Sequence, residues 1–438
     1  METIAIVGGG AGGLELATRL GDSLGKAGRA KVVLVDRYPT HFWKPLLHTV
    51  AAGKLDPQVH QVEYAAQAAD HGFQFICGEV LRVDRGNRML EIGSLRGDDG
   101  AELLPPRNVQ YDKLVLACGS VTNFFNIPGA AQHSLTLDNV QDAEFFRKRF
   151  LASCMQASSR LQAGGQRGAA VNIVIVGGGA TGIELAGELC HTVRTLARYN
   201  VHALDPARDV RIRIIERGER LLPQLNERLS SRAARYLRRL GIEVCTETTV
   251  ARVDADAVHD SAGVRHPSDI TVWAAGVEAP YICTTLGLPL NRLKQIVVTP
   301  ELRTQADPSV FAIGDCASYV CPVNGAAVPP RAQVAHQQAV YLADALLRAA
   351  GNRVPEFRYR DYGSVVSLGP FAAMGVLNGG TNGGAKKREM LIGGAAARLL
   401  YRLMYQKHIM SLHGFVRMAA QSLAHWIRGK FTPPVKLH

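Results

Sequence analysis

The chain has 438 residues, 50 Lys and Arg against 38 Asp and Glu, and a formal net charge of +12. That length holds two or three domains with a large buried core, and an apolar share of 47% excludes a disordered or fibrous chain. The eight cysteines are scattered, with no CxxC pair and no metal-ligand spacing. No metal site is therefore expected, and buried or free thiols in a reducing cytoplasm are.

The first residues read as a strand, so no secretory signal is expected. The apolar run Ile4 to Val7 enters Gly8-Gly9-Gly10-Ala11-Gly12-Gly13 directly. This pattern reads as strand, tight turn and helix N-terminus, a cradle for a pyrophosphate. Lys31 to Val35 forms the next strand, and Asp36 closes it 23 residues past Gly13, near the spacing of a ribose ligand. A middle strand, Leu114 to Ala117, breaks at Cys118-Gly119-Ser120.

About 170 residues after the first loop the pattern recurs. Ile173 to Val176 leads into Gly177-Gly178-Gly179-Ala180-Thr181-Gly182, and the strand Arg211 to Ile215 ends at Glu216. Glu216 favours NADH over NADPH by repelling a 2′-phosphate, although Arg217 and Arg220 lie close by. A further strand, Ile270 to Ala275, ends at Gly276, and Val310 to Ile313 leads to Gly314 and Asp315.

The expected fold is α/β with two Rossmann-like dinucleotide-binding domains. One is discontinuous, residues 1–125 and 297–352; the second, 126–296, is inserted into it; 353–438 form a C-terminal region. One GxGxxG is a weak signal, but two in strand–turn–helix context are strong evidence for two dinucleotides exchanging electrons. The cofactor-binding candidates are Gly8, Gly10, Gly13, Asp36, Lys44, Gly314 and Asp315 for one, and Gly177, Gly179, Gly182, Glu216 and Gly276 for the other.

The last 53 residues carry ten Lys or Arg against one acid, Glu389, so they hold +9 of the net charge. Leu399, Leu400, Leu403 and Met404, then Leu412, Val416, Ala419, Leu423 and Trp426, recur at helical spacing among basic residues. Basic amphipathic helices lie flat in a lipid interface; packing on the domain or a partner subunit is the alternative. No apolar stretch is long enough to span a bilayer. Gly379 to Gly384, before Lys386-Lys387-Arg388, reads as a flexible turn opening this region.

These residues resemble the two-dinucleotide flavoprotein reductases, in which the first fingerprint binds FAD and the inserted one NAD(P)H. Thr304 to Asp315 is similar to that superfamily's second FAD motif, which implies that Asp315 holds the ribityl chain. Thr40 to His48 lacks the cysteine pair of the thiol-disulfide branch. Trp43-Lys44-Pro45-Leu46-Leu47, Thr181 to Leu189, Ala332 to Gln337 and the tail from Leu400 instead resemble type II NADH:quinone oxidoreductases. The resemblance implies non-covalent FAD, NADH as substrate and a membrane quinone, ubiquinone or menaquinone, reduced by two electrons without ion pumping. It implies a peripheral enzyme on the cytoplasmic side of the inner membrane, drawn to anionic lipid; a homodimer through the tail stays open, and nucleic acid is not expected.

The implied catalytic residues are Glu184, Gln333 and Gln337. Glu184 would lie at the nicotinamide–flavin contact, positioning the hydride donor or handing on a proton; a dipole-favoured carboxylate is the other reading. Gln333 and Gln337 share a helix face and would donate to a quinone carbonyl, while the helix N-terminus faces the flavin. Lys44 reads either as a positive charge near the isoalloxazine or as a solvated lysine. Two alternatives remain: a sulfide:quinone oxidoreductase using Cys118 or the Cys316/Cys321 spacing, and a flavin-bearing redox sensor.

Overall fold

Strand β1 (Glu2–Val7), helix α1 (Ala11–Leu20) and strand β2 (Ala30–Asp36) open the computed structural model. It describes residues 1–97, 99–162, 171–199, 205, 208–322, 325–348, 355–370, 372–378, 389–428, 431, 435 and 436. Ile4, Ala5, Ile6 and Val7 are all buried, because a parallel sheet covered on both faces needs a continuous apolar run rather than alternation. β3 (Gln74–Cys77) extends the sheet beyond β2, and β4 (Lys113–Leu116) pairs with the other edge of β1.

The chain then builds a second sheet from β5 (Ser134–Leu135), β6 (Val171–Val176), β7 (Val210–Ile215), β8 (Glu243–Cys245) and β9 (Ile270–Trp273). Helix α2 (Ala180–Arg198) follows β6, and α3 (Glu227–Arg239) follows β7. After this sheet, β10 (Val310–Ala312) returns to pair with β4. The strand orders are β10-β4-β1-β2-β3 and β5-β9-β6-β7-β8, all parallel. In each, the strand before the glycine loop sits between neighbours whose connections leave in opposite directions. That switch point opens a crevice beyond the strand ends, where α/β sheets bind ligands.

Beyond β10 come α4 (Ala332–Leu347) and an antiparallel sheet of β11 (Gly363–Ser367), β12 (Ala373–Asn378) and β13 (Glu389–Gly393). The expected glycine-rich turn and basic triplet between β12 and β13 lie outside the described residues. Helix α5 (Gly394–Arg428) breaks at Gly414, whose φ of 75° suits glycine alone. Its two arms fold back on each other: Gln406 Nε2 donates to Ser422 Oγ at 3.3 Å, and His60 stacks on His425 while touching Tyr405.

The tail corrects one expectation. Leu412, placed by periodicity on a lipid-facing stripe, is buried in the core of the first sheet, where Gln67 Nε2 donates to its carbonyl at 2.9 Å. His408 and Ile409 are buried beside it, so half of the first arm is a packing surface. Leu399, Leu403, Met404, Phe415, Val416, Leu423 and Trp426 are exposed. Among the described residues no helix is long and apolar enough to cross a membrane.

Candidate active site

The two glycine loops have the same geometry. Gly8 and Gly177 have φ of 100° and 114°, and their amides donate to Val35 and Ile215 carbonyls, each at 2.8 Å. A Cβ on Gly13 would lie 1.8 Å from the Gly8 carbonyl oxygen, and one on Gly182 would lie 2.2 Å from that of Gly177. The last glycine of each loop is therefore required for the helix to start against the turn. Gly10 and Gly179 cap α1 and α2, and a Cβ on either meets nothing within 4 Å. That open space over a helix N-terminus fits a pyrophosphate.

The strand-end carboxylates clamp these loops. Asp36 accepts from Gly9 N at 2.6 Å and Tyr38 N at 2.9 Å; Glu216 accepts from Gly178 N at 2.6 Å and Gly218 N at 2.7 Å. Burial pushes Asp36 above the usual carboxylate range, against the pull of those amides and of Arg37 and Lys44. Arg220 turns its guanidinium onto the carbonyls of Leu225 and Pro223, which leaves Arg217 as the nearby exposed cation.

A cavity of about 1190 Å³ lies between the two sheets. Gly8, Gly10, Asp36, Lys44, Gly314 and Asp315 line one side; Thr181, Glu184, Trp273 and Gly276 line the other; Tyr401 and Met404 of α5 close it. Gly177, Gly179, Gly182 and Glu216 lie outside its wall, back along the second loop. Asp315 accepts from Ser120 Oγ at 2.8 Å, and Lys44 Nζ donates to Ser120 O at 3.2 Å. Burial raises the Asp315 carboxyl, while Ser120 and Lys44 lower it. Lys44 therefore sits in the site, its charge felt by both cavity aspartates.

Glu184 comes after the first turn of α2 and is buried. Its Oε1 accepts from Ser367 N at 2.9 Å, and His48 Nδ1 lies 3.4 Å from Oε2. Burial pushes its carboxyl up to about 8, against the Ser367 amide and the Tyr401 hydroxyl. Burial likewise drives His48 down to about 4. At neutral pH the two face each other uncharged, a protonated acid beside a neutral imidazole. His48, Ser367 and Tyr401 come from three distant segments, and none stood out in the sequence. One turn on, Glu188 pairs with Lys54 at 2.7 Å and serves packing.

The glutamines lie elsewhere than expected. Gln337 Nε2 donates to Arg360 O at 2.8 Å and its Oε1 accepts from Arg360 N at 3.0 Å. Gln333 Nε2 donates to Gly363 O at 3.1 Å and its Oε1 accepts from Tyr362 N at 3.4 Å. Both amides hold the segment entering β11 and are absent from the cavity wall, where Arg331, Ala332 and Ala335 of the α4 N-terminus stand instead. The neighbouring Gln338, buried and unremarked in the sequence, accepts from Gly314 N at 2.7 Å and ties α4 to the Asp315 loop. His336 Nδ1 sits 2.5 Å from buried Glu15.

All eight cysteines are free. Cys316 does not meet Cys321; it hydrogen-bonds with Cys118 and Cys283 in a buried trio that periodicity could not show. Among the described residues no cluster could hold a metal ion.

The family model for pyridine nucleotide-disulphide oxidoreductases matches residues 2–339. The type II NADH:quinone oxidoreductase of Haemophilus influenzae is 37% identical, over the full length of both chains. That of Mycobacterium tuberculosis is 28% identical, covering 85% of this chain and 78% of its own. The solved Plasmodium falciparum NDH2 in complex with NADH, 19% identical, superposes with a TM-score of 0.82 over 99% of this chain and 100% of its own, a likeness of fold. The chain belongs to the type II NADH:quinone oxidoreductases, within the pyridine nucleotide-disulphide oxidoreductase family.

Proposed function

We propose that the chain oxidises NADH and reduces a membrane quinone, ubiquinone or menaquinone, through non-covalently bound FAD and without pumping ions. The observation carrying this reading is one cavity reached by the Gly8–Gly10 loop from one sheet and by the start of α2 from the other. FAD, when bound, supplies the redox chemistry, and the chain supplies placement, exclusion of water and protons.

In this reading residues 1–125 and 297–352 carry the flavin nucleotide and 126–296 the nicotinamide nucleotide. The amides above Gly10 and Gly179 receive the two pyrophosphates, with Gly8, Gly13, Gly177 and Gly182 shaping the turns. Asp36 and Glu216 order the loops and meet the ribose hydroxyls. Asp315, with Ser120 and Lys44, holds the ribityl side, and the α4 N-terminus offers its positive dipole end. Gly314 and Gly276, at φ of 72° and 91°, let the backbone approach the cavity. Glu184 keeps a proton on its carboxyl at neutral pH, beside the Tyr401 hydroxyl, where a two-electron product needing protons would form. Gln333 and Gln337 act by fixing the α4–β11 wall rather than by donating to quinone.

The exposed apolar residues of α5 would rest in the headgroup region on the cytoplasmic side of the inner membrane, drawn to anionic lipid. Anaerobic mixing of the detergent-purified protein with NADH, followed by a short-chain quinone, tests the cycle. Flavin absorbance should bleach with NADH and return with quinone. Bleaching by sulfide but not by NADH would overturn the nicotinamide assignment.

A further inference from the structure

Helix α3 carries Arg228, Arg232, Arg235 and Arg239 at spacings of four, three and four, so they share one face. Leu229, Ala233 and Leu237 on its other face are buried. The arginine face meets the backbone of the C-terminal sheet and leaves two adjoining hollows of about 580 and 510 Å³, sharing Arg232, Arg235 and Gly393. Among the described residues no ion pair engages these four arginines. Glu227 is the one carboxylate in the wall of the first hollow, and the second has none.

We infer that this cleft is a binding site for the phosphate headgroup of an anionic phospholipid, a deepening that rests on the membrane reading of α5. Guanidinium groups bind phosphate oxygens in pairs, and several unpaired ones facing one hollow favour a phosphate strongly. The opposite wall is apolar backbone and side chain: Leu391 and Ile392 in the first hollow, Ala373 and Met374 in the second. A soluble phosphate gains nothing from that wall, whereas the glycerol and acyl root of a lipid does. The wall also runs straight into the exposed surface: Met390 and Leu391 of β13 are exposed, and α5 begins at Gly394 with Leu399 and Leu403 exposed soon after. One lipid would thus touch the NADH-side helix and the tail together, fixing how the enzyme sits on the bilayer.

The full chain is tested against phosphatidylcholine vesicles with and without phosphatidylglycerol. Arg232→Gln with Arg235→Gln should weaken binding to the anionic vesicles about 30-fold, from ~1 kcal/mol per removed cation, and leave binding to the neutral ones unchanged. NADH-driven reduction of a short-chain quinone should not change. Lys31→Gln with Arg96→Gln, the same loss of charge elsewhere on the surface, should bind as the unaltered chain does. Equal losses in both double variants would reduce the effect to net charge and overturn the site. If the unaltered chain binds neither vesicle, the membrane reading of α5 fails first; if it binds both and the arginine variant does too, only the cleft fails. Thermal stabilisation by inorganic phosphate at matched ionic strength, without any preference for anionic vesicles, would assign the cleft to soluble phosphate and overturn the lipid.

Discussion

Replacing Glu184 with Gln keeps the shape of the side chain and removes its ionisation. Burial lifts the carboxyl from 4.5 to about 8, so full ionisation in place opposes folding by about 5 kcal/mol at 1.36 kcal/mol per unit. The sign follows from proton counting. Between 4.5 and about 8 the folded chain keeps a proton that the unfolded chain has lost, so stability falls as pH rises and levels off above 8. His48 works the other way: the unfolded chain binds its proton below 6.5 and the folded chain only below about 4, so stability rises with pH across that span. The two slopes cancel between 4.5 and 6.5, and the Glu184 decline stands alone from 6.5 to about 8, worth about 2 kcal/mol. The thermal midpoint of Glu184→Gln holoenzyme should therefore pull ahead of the unaltered chain as pH rises through that window. In stopped flow, bleaching by NADH should persist, while quinone-driven recovery slows about 10²–10⁴-fold, the usual scale of a lost general acid. An alkaline limb near 8 in the unaltered chain should vanish in Glu184→Gln and return in part in Glu184→Asp. The same pH dependence in both proteins would refute the raised carboxyl, and a loss confined to NADH bleaching would assign Glu184 to nicotinamide placement alone.

The glycine loops make paired expectations. Gly13→Ala should yield a destabilised, flavin-poor protein, since its Cβ collides with the Gly8 carbonyl; Gly10→Ala should keep its folding stability and lose flavin selectively, read from the flavin-to-protein absorbance ratio and the thermal midpoint. Glu216→Ala leaves the Gly178 and Gly218 amides without their acceptor, so KM for NADH should rise about 5- to 100-fold, from ~1–3 kcal/mol, with little change in flavin content. Phe415→Ser with Trp426→Ser, both on the exposed side of α5, should lower partition onto neutral vesicles by about tenfold or more while leaving soluble turnover intact; unchanged partition would place the lipid contact elsewhere.

Much of the architecture follows from local constraints. Two apolar runs, each stopped by a glycine cluster and followed by a helix, oblige a backbone that turns at positive φ and presents amides to an anion. Gly8, Gly10, Gly13 and their counterparts were legible because no other residue tolerates those positions. The acids at Asp36 and Glu216 were legible by spacing, since a helix returning along a strand has a set length. What each acid holds, the amide of the middle loop glycine, was not, because that contact spans the crossover. Periodicity assigned Gln333 and Gln337 to one face of α4 but could not say what that face meets. The chain some 23 to 30 residues later takes both amides, and Gln338, on a different face, reaches the Asp315 loop.

The sequence by itself determined two nucleotide cradles, their order and a basic tail, because glycine sterics, strand polarity and charge act over a few neighbours. Only the tertiary structure decided the chemistry of Glu184 and the fate of the tail. A carboxyl becomes a proton holder when His48, Ser367 and Tyr401 arrive from distant segments and exclude water, and Leu412 is buried when the first arm of α5 docks on Gln67. Burial is a sum over contacts made across the whole chain, and no local window contains it.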